Sequence, residues 1–235
     1  MVEGWRLIQL ITSKICAKDL NGTGFDAYTI KHQQQVARIS NAIARKMGLS
    51  DDRILQVTLG ALFHDIGKLF IPRRILNKKG NLSDAEYGLI RRHCLNGRIL
   101  LESIGIAFRI YQIAFQHHER LDGSGYPQGL TGSQIPIESR IVAVADVLDA
   151  MTHNRPYRPA LGGIDTVLNK IDSGRGTLYD PEVIDICFLL NSEKGWIFDE
   201  DRRKIAPQLS GKEYGFDHRN GNEPEGASLR EVRGL

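Results

Sequence analysis

Apolar side chains recur at spacings of three and four from the N-terminal region to about Leu190, the period of helices that turn one face to a core. Ile54, Leu55, Leu59, Leu62, Phe63 and Ile66 form one such stripe, predicting a helix that ends near Gly67 with His64 and Asp65 on its last turn. Ser83-Asp84-Ala85-Glu86 has the form of a capping box, with hydroxyl and carboxylate each satisfying an orphan amide, and opens a helix expected to run past His93 towards Leu101. Further helices are expected over about Thr29 to Met47, closed by Gly48, then Ala107 to His118, Glu138 to Met151, and Pro181 to Leu190 with Pro181 in the first turn. No stretch alternates apolar and polar residues over strand length, so the fold class is all-α. The stretch from Glu119 to Pro136 interrupts every helical register with Gly123, Gly125, Pro127, Gly129, Gly132 and Pro136. A loop of that length inside a compact domain is usually functional.

Composition narrows the class without naming it. The 235 residues are 41% hydrophobic and 25% charged, which fits a globular domain and argues against disorder, collagen or a coiled-coil rod. Such a chain buries enough core to fold without a structural metal, so any metal is suspected of chemistry. A net charge of +3, from 31 basic and 28 acidic residues, calls for neither duplex nucleic acid nor an anionic membrane, and leaves room for a small anionic substrate. Cys16, Cys94 and Cys187 are scattered and form no CxxC pair; reduced core cysteines in a cytoplasmic protein are expected. No apolar run reaches the length of a membrane span, and the first 20 residues lack a signal-peptide pattern. Three regions are expected: a lead-in helix over 1–25, a catalytic domain over 26–190, and a polar, glycine-rich, loop-rich tail over 191–235.

Histidine placement carries the chemistry. His32, His64 with Asp65, His93, the pair His117-His118, and Asp146 fall on different expected helices, and bundles build metal sites in their cores in this way. Imidazoles and carboxylates suit borderline divalent cations. His153 and His218 stand apart from this set.

Leu62-Phe63-His64-Asp65-Ile66-Gly67-Lys68, followed by Phe70-Ile71-Pro72, resembles the signature of the HD phosphohydrolase superfamily. His117-His118-Glu119-Arg120-Leu121-Asp122-Gly123-Ser124-Gly125-Tyr126-Pro127 resembles the defining element of its HD-GYP subfamily. Asp26 to His32, Arg91-Arg92-His93, Arg140 to Asp146, Asp149 to Thr152 and Asn154 to Arg158 appear in that family's order, so the resemblance runs over about 26–183.

The resemblance implies an HD-type helical bundle with a long GYP loop (Asp122, Gly123, Gly125, Tyr126, Pro127) and a metal-dependent phosphodiesterase. Its reaction would open cyclic di-GMP to linear pGpG and/or GMP, by in-line attack of hydroxide held between the ions. Carried over position by position, one ion falls to His32, His64, Asp65 and Asp146, and a second to Asp65, His93, His117 and His118, with Asp65 bridging. Iron or manganese lead as the two ions, with zinc, nickel and magnesium behind them. Tyr28 stands where members with three ions carry a Glu one helical turn before the first His, so a binuclear site is expected. Phe70 occupies a place where the family often has glycine.

Lys68 is expected to act beside Asp65 in catalysis and to reach a substrate phosphate; Arg155 and Arg158 are expected to clamp phosphates, which guanidinium forks suit. Tyr126 either lines the rim, packing against a guanine or gating the pocket, or pins the loop, and both readings stay open. Gly123 and Gly125 are expected to serve backbone conformations that a Cβ forbids. Other substrates of an HD hydrolase, another cyclic dinucleotide or nucleotide, stand as the alternative, with a regulatory scaffold behind it; all seven ligand positions are filled, which disfavours a degenerate scaffold. Expected partners are the cyclic dinucleotide and a protein contact through the GYP loop; a homodimer is an open option, and no membrane contact is expected. The 25 residues before Asp26 hold no sensory or receiver domain, so regulation is expected to come from another chain or not at all.

Overall fold

The computed structural model describes residues 27–78, 80–152 and 162–193. Nine α-helices lie among the described residues: α1 (Ala27–Lys46), α2 (Asp51–Phe63), α3 (Arg73–Leu76), α4 (Asp84–Arg91), α5 (His93–Ser103), α6 (Phe108–Gln116), α7 (Ile137–Thr152), α8 (Ile164–Asp172) and α9 (Pro181–Ser192). No strand occurs among them, as the lack of alternation predicts. The lead-in region 1–25, Arg155, Arg158, His153, His218 and the tail beyond Glu193 lie outside the described residues.

Val36, Ile39 and Ile43 on α1 pack with Val57 and Ala61 on α2 and with Ile141, Val144 and Leu148 on α7. Val167, Leu168 and Ile171 of α8 and Ile184 of α9 close this core from the other side. Each fully buried isoleucine contributes about 1.5–3 kcal/mol, so α1, α2 and α7 are held by their apolar stripes rather than by local propensity. A second cluster, Phe63, Ile66, Leu101, Ile110 and Ala114, joins α2 to α5 and α6. His64 and Asp65 lie in the chain between Phe63 and Ile66 of this second cluster.

Several element ends match their sequence signals. Gly48, with φ of 72°, follows α1. Ser83 Oγ accepts from the Glu86 amide at 3.3 Å while Glu86 Oε2 accepts from the Ser83 amide at 2.8 Å, the expected capping box. Asp180 caps α9 by accepting from the amides of Glu182 and Val183, with Pro181 in the first turn.

Three features differ from the pattern. The helix carrying the first apolar stripe stops at Phe63, and the chain passes through His64 and Asp65 into a 3-10 turn, Ile66–Phe70. This turn lays Gly67 against the backbone of α5, where an added Cβ would stand 1.9 Å from the His93 carbonyl oxygen. The helix opened by Ser83 divides at Arg92, leaving α4 and α5 as separate elements and turning His93 inward while Arg91 and Arg92 stay exposed. Finally, α8 was not expected: only Val167, Leu168 and Ile171 line its buried face, after Gly162-Gly163.

The long loop after α6 carries an isolated bridge between Asp122 and Thr131 and a short 3-10 turn, Gly132–Gln134. Arg140 on α7 ties its end down, donating to the carbonyls of Ile135 (2.7 Å) and Gly132 (3.0 Å) and to Asp180 Oδ2 (2.8 Å). Among the described residues, no helix is long and apolar enough to cross a membrane.

Candidate metal centre

Five histidines and two aspartates from five separate segments converge in the interior. His32 comes from α1, His64 and Asp65 from the turn after α2, His93 from the start of α5, His117 and His118 from the end of α6, and Asp146 from α7. His64, His93 and His117 share one local cause for their orientation. Each sits at or just past a helix end and donates Nδ1–H to a carbonyl three residues back: Ala61 at 2.6 Å, Ile90 at 2.7 Å and Ala114 at 3.0 Å. Last-turn carbonyls lack intrahelical partners, so the helix end itself aims each ring. A carbonyl only accepts, so the proton is on Nδ1 and the Nε2 lone pair faces the centre. His32 is oriented differently, with Nδ1 2.5 Å from Asp149 Oδ2.

The donor atoms form overlapping groups. One joins His32, His64 and Asp146; one joins His64, Asp65 and His117; one joins His93, Cys94, His117 and His118; within each, the ligand atoms lie within 4.8 Å of one another. Asp65 stands between them: Oδ2 is 3.3 Å from His64 Nε2 and 3.7 Å from His32 Nε2, whereas Oδ1 is 3.4 Å from His93 Nε2. His32 Nε2 is 3.2 Å from Asp146 Oδ1.

Burial opposes ionisation of Asp65 and Asp146, but Lys68 and His64 beside the first, and His32 beside the second, hold both well below the usual carboxylate range. Burial, with neighbouring imidazoles, pushes His93 and His117 down, and His118 to about 3, so these three rings are neutral near pH 7. At His32 burial is outweighed by Asp146 and Asp149, which raise it to about 9.

These residues fit divalent cations. His64 Nε2 and Asp65 Oδ1 are buried and find no hydrogen-bond partner among the described residues. The Nε2 atoms of His93 and His117 face each other at 3.3 Å, although both rings are neutral and both protons are committed to backbone carbonyls. Two inward lone pairs at that distance repel unless a cation sits beside them.

The remaining sequence-expected residues are placed as follows. Lys68 Nζ lies 2.5 Å from Asp65 Oδ2, so the lysine enters the centre through the Asp65 carboxylate. Tyr126 stacks on His118, with ring centroids 4.7 Å apart and planes at 30°, and the Arg91 guanidinium lies 4.4 Å from its centroid. Gly123 has φ of 80°, and a Cβ on Gly125 would stand 2.4 Å from the Arg120 amide nitrogen and 2.5 Å from the His118 carbonyl oxygen. Asp122 Oδ1 accepts from the Ser124 amide, an Asx turn at the loop tip. Arg155 and Arg158 lie outside the described residues.

Three contributors were missed by the sequence reading as functional residues. Asp149 orients His32; its signal was a spacing of three from Asp146 on one helix face. Buried Glu119 accepts from the amides of Gln128 (2.7 Å) and Leu130 (3.0 Å), tying the loop back beside His118. Cys94 lies 3.5 Å from His93 Nε2.

An all-helical bundle built around a buried centre of histidines and aspartates defines the class of protein. The family described as HD domain matches residues 26–183, and the chain belongs to that family, of the HD-GYP type. It is 40% identical over 159 residues to a cyclic di-GMP phosphodiesterase of Pseudomonas aeruginosa, covering 67% of this chain and 38% of that protein. It is 37% identical over 191 residues to a cyclic di-GMP phosphodiesterase of Thermotoga maritima, covering 80% and 52%. It is 40% identical over 163 residues to 3'3'-cGAMP-specific phosphodiesterase 1 of Vibrio cholerae, covering 68% and 37%. The chain thus spans about half or less of the length of these relatives. Its fold is similar to that of an HDGYP protein from Bdellovibrio bacteriovorus, with TM-score 0.56 and 22% identity over 67% of this chain and 50% of that one.

Proposed function

We propose that the chain is a metal-dependent phosphodiesterase that opens cyclic di-GMP to linear pGpG and/or GMP. The observation that carries this is the convergence of His32, His64, Asp65, His93, His117, His118 and Asp146 with Asp65 facing both halves, in a chain whose relatives include cyclic di-GMP phosphodiesterases. We assign one ion to His32, His64, Asp65 and Asp146 and the other to Asp65, His93, His117 and His118, with iron or manganese as the working pair. Bound there, divalent cations lower the pKa of water and neutralise charge growing on the phosphoryl oxygens.

The chain's own residues do the rest. The inward lone pairs and the two carboxylates supply an anionic, water-poor donor set, while Lys68 brings the positive charge suited to a phosphate oxygen. Arg155 and Arg158 are the proposed phosphate clamp. A water oxygen attacks phosphorus in line with the departing 3′ oxygen; the P–O3′ bond breaks, the attacking water gives up one proton to solvent and the 3′ oxygen takes one up from solvent. The Tyr126 stack on His118 supports the loop-pinning role for this tyrosine. We take 26–190 as the catalytic domain and the cytoplasm as its compartment, with the buried free thiols of Cys94 and Cys187 in support.

A second substrate reading rests on one observation: a 3'3'-cGAMP-specific relative is as similar as a cyclic di-GMP phosphodiesterase, 40% identical in each case. Both substrates share the phosphodiester and differ in one base, so centre residues do not separate them. Turnover of cyclic di-GMP, 3'3'-cGAMP and cyclic di-AMP by iron- or manganese-loaded protein tests this. Highest kcat/KM on cyclic di-GMP with linear product supports the proposal; cleavage of another cyclic dinucleotide alone overturns its substrate, and cleavage of none overturns the activity.

A further inference from the structure

Cys94 is fully buried at the start of α5, next to His93. Its Sγ lies 3.5 Å from His93 Nε2 and belongs to a group with His93, His117 and His118 whose ligand atoms are all within 4.8 Å of each other. Cys187, the other described free thiol, is equally buried but packs in the apolar core with Val183 and Ile184 and shares no such group.

Distances within the group match a metal polyhedron. Metal–nitrogen bonds of about 2.0–2.1 Å and a metal–sulfur bond of about 2.3 Å, at tetrahedral angles, separate two nitrogens by about 3.4 Å and nitrogen from sulfur by about 3.5 Å. The His93–His117 separation is 3.3 Å and the Cys94–His93 separation is 3.5 Å. An independent sign of a cation at this spot is Asp65 Oδ1, buried without a hydrogen-bond partner and 3.4 Å from His93 Nε2. A weak S–H donor resting on His93 would account for the Cys94–His93 distance but for neither the inward pair of imidazoles nor the unpartnered carboxylate oxygen.

We propose that Cys94 is a sulfur ligand of the second half of the centre, adding a fifth donor to Asp65, His93, His117 and His118 for a borderline cation such as zinc or ferrous iron. The inference rests on the metal-centre reading above and deepens it. Binding releases the thiol proton to solvent, and Asp65 remains the link to the His32 half. A thiolate among three imidazoles favours zinc and ferrous iron over manganese, which prefers oxygen donors.

Cobalt(II) reports the sulfur directly. Metal-free full-length protein carrying Cys16→Ser and Cys187→Ser, whose only thiol is Cys94, is titrated with cobalt(II) while the near-ultraviolet thiolate-to-cobalt charge-transfer band and bound cobalt are recorded. The expected result is a band that grows with bound cobalt, vanishes on the further change Cys94→Ser, and is matched by at least a roughly tenfold fall in zinc affinity with a smaller change for manganese. Bound cobalt without the band overturns the sulfur ligand and leaves the centre standing; no bound cobalt overturns both. The Cys94-only protein decides the matter even where Cys94→Ser fails to fold.

Discussion

Gly67→Ala tests whether the turn carrying Asp65 is held against α5 by the absence of a side chain. A Cβ at this position would stand 1.9 Å from the His93 carbonyl oxygen, 2.5 Å from the Gly97 amide nitrogen and 2.8 Å from the His93 carbonyl carbon, all of them backbone atoms. No rotamer change relieves such contacts. Side-chain carbons do not approach closer than 3.0 Å, so turn and helix must separate by about 1 Å. Overpacking of this kind costs about 3 kcal/mol, which lowers Tm by about 6 to 12 °C in a protein of this size. The same shift moves Asp65 from His93, now 3.4 Å apart, and a displacement of about 1 Å lowers turnover on the order of a hundredfold. The assay pairs metal-free thermal melts by far-ultraviolet circular dichroism with turnover of cyclic di-GMP. Gly88→Ala is the control: Gly88 is exposed on α4 with nothing within 4 Å of an added Cβ, and alanine there stabilises by about 0.5–1 kcal/mol. A Gly67→Ala protein that melts and turns over like the wild type would refute the close approach.

Glu119→Gln replaces an acceptor of two backbone amides with a group that keeps one acceptor oxygen, giving up charge-assisted bonds of about 1.5–3 kcal/mol each. Amide exchange at Gln128 and Leu130 should accelerate at least about tenfold while the helical spectrum is retained; unchanged protection would show that the loop is held by other means. Asp149→Ala removes the carboxylate at His32 Nδ1 and should weaken metal binding about 10- to 100-fold by calorimetry, whereas equal affinity would dismiss the orienting role. Chelation should leave the fold helical, because the two apolar clusters form the core, and restoring metal at about a hundredfold above Kd should add about 2.7 kcal/mol, or about 5 to 11 °C in Tm. Unfolding on chelation, or no shift on reloading, would contradict this.

What the chain announces in advance depends on how local the physics is. Caps are local, so the Ser83–Glu86 box and the Asp180-Pro181 start of α9 were legible. The donors were legible through motif resemblance, and the fold brings all seven together. The end of α2 was not, because the 3-10 turn exists for a contact between Gly67 and α5, thirty residues away in sequence and invisible to periodicity. The break at Arg92 carries no glycine or proline, so nothing in the pattern signals that His93 begins a new helix. Helix α8 has only three buried apolar residues, too few to stand out from a surface segment. Glu119 acts on amides nine and eleven residues ahead through a loop, a relation without a period, and Cys94 reads as an ordinary core cysteine until its neighbours are known.

The central claim is that one carboxylate, Asp65, joins two sets of histidines into a phosphodiester-cleaving centre. Asp65→Ala, assayed with cyclic di-GMP after iron or manganese loading, tests it most directly. The account predicts a helical protein with turnover reduced on the order of a thousandfold or more, the loss of several kcal/mol of transition-state stabilisation. Wild-type turnover in that variant would contradict it.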